Sequence, residues 1–278
     1  MYVCWFVTCK CNLSCSYCFG LKNYVEVPFN VALSVGEALA SSNAKLVVLT
    51  GGEPFVLPYL FKLIDSLYSK LRISITSNAQ LVPFDFVKRL KEKISYLTIS
   101  LNTLEEEIAK ILQGNNYSLD KVLWVAQEAT QNGLSIKINT MISNINIEEV
   151  SDIGKFIKSL DLSKTNVIWK IIKFHRNPYV LNKLPNFEVT QKEFSNLYEK
   201  IKKKYPDLNI ISIDNNVIDQ SYILIAPTGE VIIPSYHYKS IGNVTKTPLQ
   251  HLIDQNIFSS NNRLLQPLSG IIKKRELP

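Results

Sequence analysis

Residues 11–18 read CNLSCSYC, which sets Cys11, Cys15 and Cys18 four and three residues apart, with the other two cysteines, Cys4 and Cys9, just upstream. Thiolates are soft ligands that select zinc or iron with sulfide. Three of them in one short loop can wrap a single inorganic centre. Two chemistries follow. A closed tetrahedral zinc site needs a fourth protein ligand, which Cys9 or a histidine could supply. A cube of four irons held by only three side chains keeps one iron open, and an open iron can bind a reactant. An odd number of cysteines crowded at one end cannot staple distant parts of a 278-residue fold. Metal ligation in a reducing compartment suits them better than disulfides. Cys4 lies in an apolar run and reads as a small buried residue. It is left out of the site, as is Cys9.

A second group of residues could hold an organic ligand. TGGEP at 50–54 follows a β-rich run. Its two glycines would let backbone approach a ligand closely. The plainer reading is a strand-to-helix turn with Pro54 at the helix start. Polar residues then end further runs: Thr76, Ser77 and Asn78, next Ser100 and Asn102, next Lys137 and Asn139. Each alone can cap the following helix. Together they can converge over one end of a parallel sheet. The three histidines, His175, His237 and His251, pair with no recognisable nucleophile, which leaves hydrolytic triads without support.

The elements that would carry these residues alternate. Strands are expected at 2–8, 45–50, 72–76, 95–100, 134–141 and 165–173. Helical patterns lie near 30–41, 58–70, 84–93, 104–112 with 118–132, 146–160 and 190–204, the last opening on a capping box of Thr190 and Glu193. Six strand-then-helix repeats predict an α/β fold, a partial (β/α)6 barrel over 1–205. SYILIA, PTG and EVIIP then predict an antiparallel hairpin, and a polar tail with one short helix near 248–254 completes a C-terminal part over 206–278. No apolar run approaches the roughly 20 residues that span a bilayer. The start, MYVCWFVTCK, has no basic leader and no small-residue cleavage site, so a cytoplasmic protein is expected. A formal net charge of +7 favours an anionic partner such as a nucleotide, a phosphate ester or nucleic acid, although clusters such as KKK at 202–204 read as a solvated face.

The run C-x3-C-x2-C with Tyr17 before its last cysteine, followed by TGGEP, resembles the radical S-adenosylmethionine (SAM) superfamily. The resemblance implies a [4Fe-4S] cluster on Cys11, Cys15 and Cys18, with SAM chelated to the open iron through its amino and carboxylate groups. It implies reductive cleavage of SAM to a 5′-deoxyadenosyl radical that takes a hydrogen from substrate. It places SAM against Tyr17, Gly51, Gly52, Glu53, Thr76, Ser77, Asn78, Ser100 and Asn102. An electron donor such as a ferredoxin or flavodoxin is implied as partner. No cysteine follows Cys18, so a single cluster is expected.

Within the superfamily, CNLSCSYCF, LTGGEPF, LNTLEEE at 101–107, KINTMISNINIEEV at 137–150, WK at 169–170 and DNNVIDQSYILI at 214–225 are similar to the antiviral viperin-like branch. That branch implies a nucleoside triphosphate, CTP-like, converted to its 3′-deoxy-3′,4′-didehydro form. Lys137, Asn139, Lys170 and Tyr222 would face the nucleotide. Two departures stand out. Ile168 and Gln113 occupy positions where the branch carries arginines, and Lys173 and Arg176 could take over the anionic contacts. Two alternatives stay open: a radical SAM enzyme for a tRNA base, small metabolite or peptide, and a non-enzymatic zinc or iron-sulfur protein.

Overall fold

The computed structural model describes residues 1–18, 20–21, 24–174, 187–214, 223–233 and 239–259. In chain order its elements are β1 (Tyr2–Thr8), α1 (Phe29–Ala40), β2 (Leu46–Gly51), a 3-10 turn (Pro54–Val56), α2 (Leu60–Leu67), β3 (Ile73–Ser77), α3 (Phe86–Leu90) and β4 (Tyr96–Ser100). There follow α4 (Glu106–Gln113), α5 (Leu119–Gln131), β5 (Ile136–Ile142), a 3-10 turn (Val150–Asp152), α6 (Ile153–Ser159) and β6 (Val167–Lys173). The last are α7 (Gln191–Lys204), β7 (Asn209–Ile213), β8 (Ile223–Ile225), β9 (Glu230–Ile233), β10 (Lys239–Asn243) and α8 (Leu249–Ser259). The alternation expected from sequence is present through all six repeats.

The chain divides into two compact units, one of Met1–Lys10, Leu21–Ser74 and Asn216–Pro278, the other of Cys11–Gly20 and Ile75–Asn215. In the first, β1 runs parallel to β2 on one side and to β8 on the other, and β8, β9 and β10 follow as antiparallel neighbours. In the second, β4, β5, β6 and β7 are successive parallel neighbours. The division falls inside β3. Among the described residues, β10 pairs with β9 and β7 pairs with β6.

Local sequence accounts for these elements. In α2, Leu60, Leu63, Ile64 and Leu67 are buried at helical spacing, so one stripe of the helix faces the core. In α5, Val122, Val125, Ala126 and Ala129 do the same, and Ser118 caps the helix by accepting from the Lys121 N–H. The capping box at Thr190 and Glu193 forms in full. Three features go beyond the sequence reading. NIISI makes a seventh parallel strand, β7, whose buried positions are Ile210 and Ile213. The expected hairpin forms from β8 and β9, but β8 also extends the parallel ladder on β1, with Val3 opposite Ile223. KSIGN adds β10, and the tail helix runs on to Ser259.

Parallel pairing fixes which side chains share a face. Partners in a parallel ladder point the same way, and so do alternate residues of one strand. Thr98, Lys137 and Ile168 therefore form one row across β4, β5 and β6, and Ser100, Asn139 and Lys170 form the next row on the same face. Ile138, Thr140, Trp169 and Ile171 point to the other, fully buried side.

Candidate active site

In the second unit, the cysteine loop is held by the end of a helix. The last carbonyls of a helix have no partner inside it. At the end of α4 the Leu112 carbonyl accepts both the Ser16 N–H (2.9 Å) and the Ser16 hydroxyl (3.0 Å), and Cys15 Sγ lies 4.0 Å from the Gln113 carbonyl. Cys11, Cys15 and Cys18 are not joined by disulfides. Cys11 Sγ accepts from the Leu13 N–H at 3.4 Å and faces Asn78 Nδ2 at 3.7 Å, while Cys18 Sγ accepts from the Gly20 N–H at 3.4 Å. Donors aimed at sulfur stabilise thiolate ligands and tune a cluster they hold.

Burial comes first, and the neighbouring Cys18 and Cys11 sulfurs second, in pushing the Cys15 thiol up to about 12. A thiolate there needs compensating positive charge, which iron supplies. Among the described residues no three His, Cys, Asp or Glu side chains are gathered around a point that would hold one metal ion. A cube asks for less convergence, since each of its irons takes one thiolate. Three cysteine sulfurs with backbone N–H donors on two of them fit such a cluster.

The strand ends around this loop are built from local turns. Ser77 Oγ accepts from the Ala79 N–H, and Asn78 Oδ1 accepts from the Gln80 N–H. Asn78 Nδ2 donates to Asn12 Oδ1 at 2.9 Å, which brings the end of β3 to the cysteine loop. Ala79 is buried at a φ of +68°, the left-handed region that side chains other than glycine rarely adopt. Asn102 is fully engaged: Nδ2 donates to the Tyr17 hydroxyl, Oδ1 accepts from the Met141 N–H, and its carbonyl accepts from Asn146. Tyr17 packs on the cluster of Leu112, Phe174 and Phe187, and burial pushes its phenol well above its ordinary range. These bonds tie the ends of β4 and β5 to the cysteine loop. Thr76 and Ser100 are half-buried on their strands.

In the same unit, Lys137 Nζ lies over the Tyr96 ring, 4.3 Å from its centroid. Asn139 Oδ1 is buried without a hydrogen-bond partner. Trp169, next to Lys170, points away from this face and donates Nε1–H to Thr140 Oγ1, which in turn donates to the Leu101 carbonyl. Tyr222 and Arg176 lie outside the described residues.

In the first unit, TGGEP packs against its own chain. A Cβ on Gly51 would sit 2.1 Å from the Thr8 carbonyl oxygen, and one on Gly52 would sit 1.9 Å from that of Lys10. The close approach that requires these glycines is therefore between backbone and backbone. The Gly52 N–H donates to the Thr8 carbonyl, and the Glu53 N–H to that of Lys10. Glu53 is fully buried and its carboxylate caps the following turn by accepting from the Phe55 N–H. The Thr8 hydroxyl faces both oxygens of Glu26 at 2.8 Å, and the Cys9 N–H donates to Glu26 Oε1. Cys9 itself packs on the cluster of Phe6, Leu21, Ala226 and Ile232, and burial raises its thiol to about 11.

Sequence reasoning passed over Asn146 and Gln80. Asn146 is buried and bridges the carbonyls of Asn102 and Met141, with Oδ1 accepting from Ser143. Gln80 exchanges two bonds with the backbone of Ser118. Both are polar residues just after a strand, a pattern indistinguishable in sequence from ordinary capping.

A C-x3-C-x2-C loop after β1, in a parallel α/β fold, defines a class, and comparison with known proteins agrees. A sequence profile described as Radical SAM superfamily matches residues 5–157. The chain belongs to the radical SAM superfamily, whose members use a [4Fe-4S] cluster and SAM. It is 25% identical to an S-adenosylmethionine-dependent nucleotide dehydratase of Lacinutrix mariniflava, over 79% of this chain and 47% of that protein. Its identity to a protein of the same name from a Thermoplasmatales archaeon is 24%, over 83% of this chain and 82% of the relative. It is also 32% identical to a GTP 3′,8-cyclase of Campylobacter jejuni, over 64% of this chain and 57% of the relative. The chain thus spans about half the length of the Lacinutrix protein. Among solved structures, Streptococcus suis SuiB bound to S-adenosylmethionine aligns at a TM-score of 0.76 and 16% identity, over 96% of this chain and 67% of the other. The anSMEcpe structure with bound AdoMet aligns at 0.70 and 16% identity, over 96% and 82%. Both likenesses show the fold. No helix among the described residues is long and apolar enough to cross a membrane.

Proposed function

We propose that this chain is a radical SAM enzyme acting on a nucleoside triphosphate, which it converts to a 3′-deoxy-3′,4′-didehydro nucleotide. Cys11, Cys15 and Cys18 hold the cluster in this reading. Tyr17, Gly51, Gly52, Glu53, Thr76, Ser77, Asn78, Ser100 and Asn102 are the candidate SAM shell, with Tyr17, Asn102 and Glu53 acting by holding backbone in place, since their own polar atoms are engaged within the protein. When bound, the cluster and SAM supply the radical that takes hydrogen from the substrate.

The observation that carries the nucleotide reading is the row of Ser100, Asn139 and Lys170, with Lys137 one row below on the same face. Two ammonium groups on adjacent strands suit a polyanion. The unmet Asn139 Oδ1 is an acceptor waiting for a donor such as a sugar hydroxyl. The names of the sequence relatives point the same way, since both kinds act on nucleotides. Tyr222 joins this set by resemblance alone. An acidic one-electron carrier of the ferredoxin or flavodoxin class and a reducing, cytoplasmic setting complete the proposal, because free thiols and an iron-sulfur cluster need both.

The test is direct. Reduced, reconstituted protein is incubated with SAM and each of the four ribonucleoside triphosphates, and 5′-deoxyadenosine is quantified. Formation that depends on one triphosphate supports the proposal, and a product short by one water identifies dehydration. Formation indifferent to all four overturns it. The identity to GTP 3′,8-cyclase favours a second reading, in which GTP alone responds and the product keeps the mass of GTP.

A further inference from the structure

The loop after β3 that reaches the cysteine loop also turns apolar side chains to solvent. Asn78 Nδ2 stands 3.7 Å from Cys11 Sγ, and Cys11 is itself exposed. Leu81 follows three residues on, so its backbone lies no more than about 11 Å from that of Asn78. Leu81 is 42% exposed and Phe84 80%. Neither belongs to a loose segment. Ala79, buried in the left-handed region, fixes the course of the loop, and Gln80 ties it to Ser118 at the start of α5. The Phe84 ring meets that of Trp124 edge-on at 5.1 Å, and Trp124 in turn meets the buried Phe86 at 6.0 Å. The Lys121 ammonium lies over both outer rings, 4.5 Å from the centroid of Phe84 and 4.1 Å from that of Trp124, and burial there lowers its pKa. Two aromatic rings, a leucine and a cation thus form a preset patch, in the same unit as Cys11, Cys15 and Cys18.

Aromatic anchors beside a cation are the composition of protein-docking surfaces. The occupant follows from the place. Reductive cleavage of SAM needs one electron from another protein, and electron transfer weakens steeply with distance, so the carrier must seat beside the cluster. Complexes of electron carriers are small and short-lived, which a patch of this extent suits. An acidic carrier is drawn by the net charge of +7 and meets Lys121. Nucleic-acid bases could stack on the same rings, yet a phosphate backbone needs a continuous cationic groove. Asp85 beside Phe84 and Asp120 beside Lys121 would interrupt one. We propose that Leu81, Phe84, Lys121 and Trp124 form the docking surface for an acidic one-electron carrier protein, which hands its electron to the cluster on the Cys11 side. One electron leaves the flavin or iron-sulfur centre of the carrier, which is oxidised, and enters the cluster, which is reduced. No bond forms or breaks in that step. The assignment rests on the cysteine loop holding a [4Fe-4S] cluster, as proposed above.

The experiment drives reconstituted holoenzyme either with dithionite or with reduced flavodoxin or ferredoxin, whichever carrier turns over wild type, and quantifies 5′-deoxyadenosine formed from SAM. Phe84→Ala and Lys121→Glu are compared with wild type. The carrier concentration giving half the maximal rate is expected to rise about tenfold or more in Phe84→Ala, for the loss of an anchor ring. It is expected to rise about threefold or more in Lys121→Glu, an effect that shrinks as salt is added. With dithionite, which needs no docking, both variants keep the wild-type rate, iron content and electron paramagnetic resonance (EPR) signal of the reduced cluster. A purely structural role would not separate the two reductants in this way. Unchanged dependence on the carrier in both variants, or wild type that dithionite drives and neither carrier does, overturns the assignment alone. Wild-type holoenzyme that cleaves no SAM with dithionite overturns the cluster reading together with it. If the variants lose iron, fold or the dithionite-driven rate, amide hydrogen exchange on wild-type holoenzyme decides. Slowing at 79–85 and 118–124 by the carrier upholds the assignment. No slowing there, or slowing by a single-stranded RNA oligomer alone, overturns it.

Discussion

The turn at Gly51–Val56 in the first unit and the row of Ser100, Asn139 and Lys170 in the second are finished in opposite ways. In the first, backbone meets backbone: Gly52 and Glu53 donate to Thr8 and Lys10, and the Glu53 carboxylate caps its own turn. In the second, Asn139 Oδ1 is buried without a hydrogen-bond partner. A buried polar group without a partner costs about 1–3 kcal/mol. The difference teaches which residues shape the site and which await a ligand. Glycines that a sequence suggests are there for cofactor are required first by the fold, and it is Asn139 that has bonding capacity to spare.

The sharpest break of this comparison removes a cluster ligand. Cys15→Ala is expected to lose iron, the absorbance near 400 nm and all SAM cleavage, while the ladders of β4 to β7 persist in circular dichroism. Retention of a full iron complement would contradict the three-thiolate site. Next in size is Gly52→Ala. Its Cβ would stand 1.9 Å from the Lys10 carbonyl oxygen, so a loss of about 3 kcal/mol or more is expected in urea unfolding, with or without cofactor. A change below about 0.5 kcal/mol would show that the turn yields easily and would remove its structural role.

Lys170→Met tests the other region. The account expects kcat/KM for the triphosphate to fall by about tenfold or more, for one charged contact, with the Kd for SAM unchanged. An equal fall in SAM affinity would place Lys170 in the wrong subsite. The smallest effect is remote from both regions. Thr190 holds the Glu193 carboxylate below its ordinary 4.5 by side-chain and backbone hydrogen bonds. A depressed folded value contributes stability above the unfolded pKa and loses it as pH falls through the folded one. Thr190→Ala should therefore lower the unfolding temperature at neutral pH, and by less in acid, as thermal unfolding at the two pH values reads.

Much of this was legible in the sequence because period and punctuation are local. The six strand-helix repeats follow from alternating apolar patterns and the capping box from Thr190 and Glu193, and spacing alone marks Cys11, Cys15 and Cys18 as the proposed cluster ligands. β7 escaped because NIISI is five residues long, with buried positions only at Ile210 and Ile213. The parallel pairing of β8 on β1 escaped because a ladder joining Val3 to Ile223 spans most of the chain, and no local pattern encodes a partner that distant. The same limit hid the engagement of Asn102 and Tyr17: sequence shows two polar residues at useful places, while only the fold shows that they bond to each other. Gln113 was visible as a departure, but its burial was not.

The central claim is a cluster with three thiolate ligands and one open iron, and EPR of the reduced protein tests it most directly. The account predicts a [4Fe-4S] signal whose g values shift when SAM is added, with nitrogen hyperfine coupling from the methionine amine. A signal that SAM leaves untouched, or stoichiometric zinc in place of iron, would contradict it.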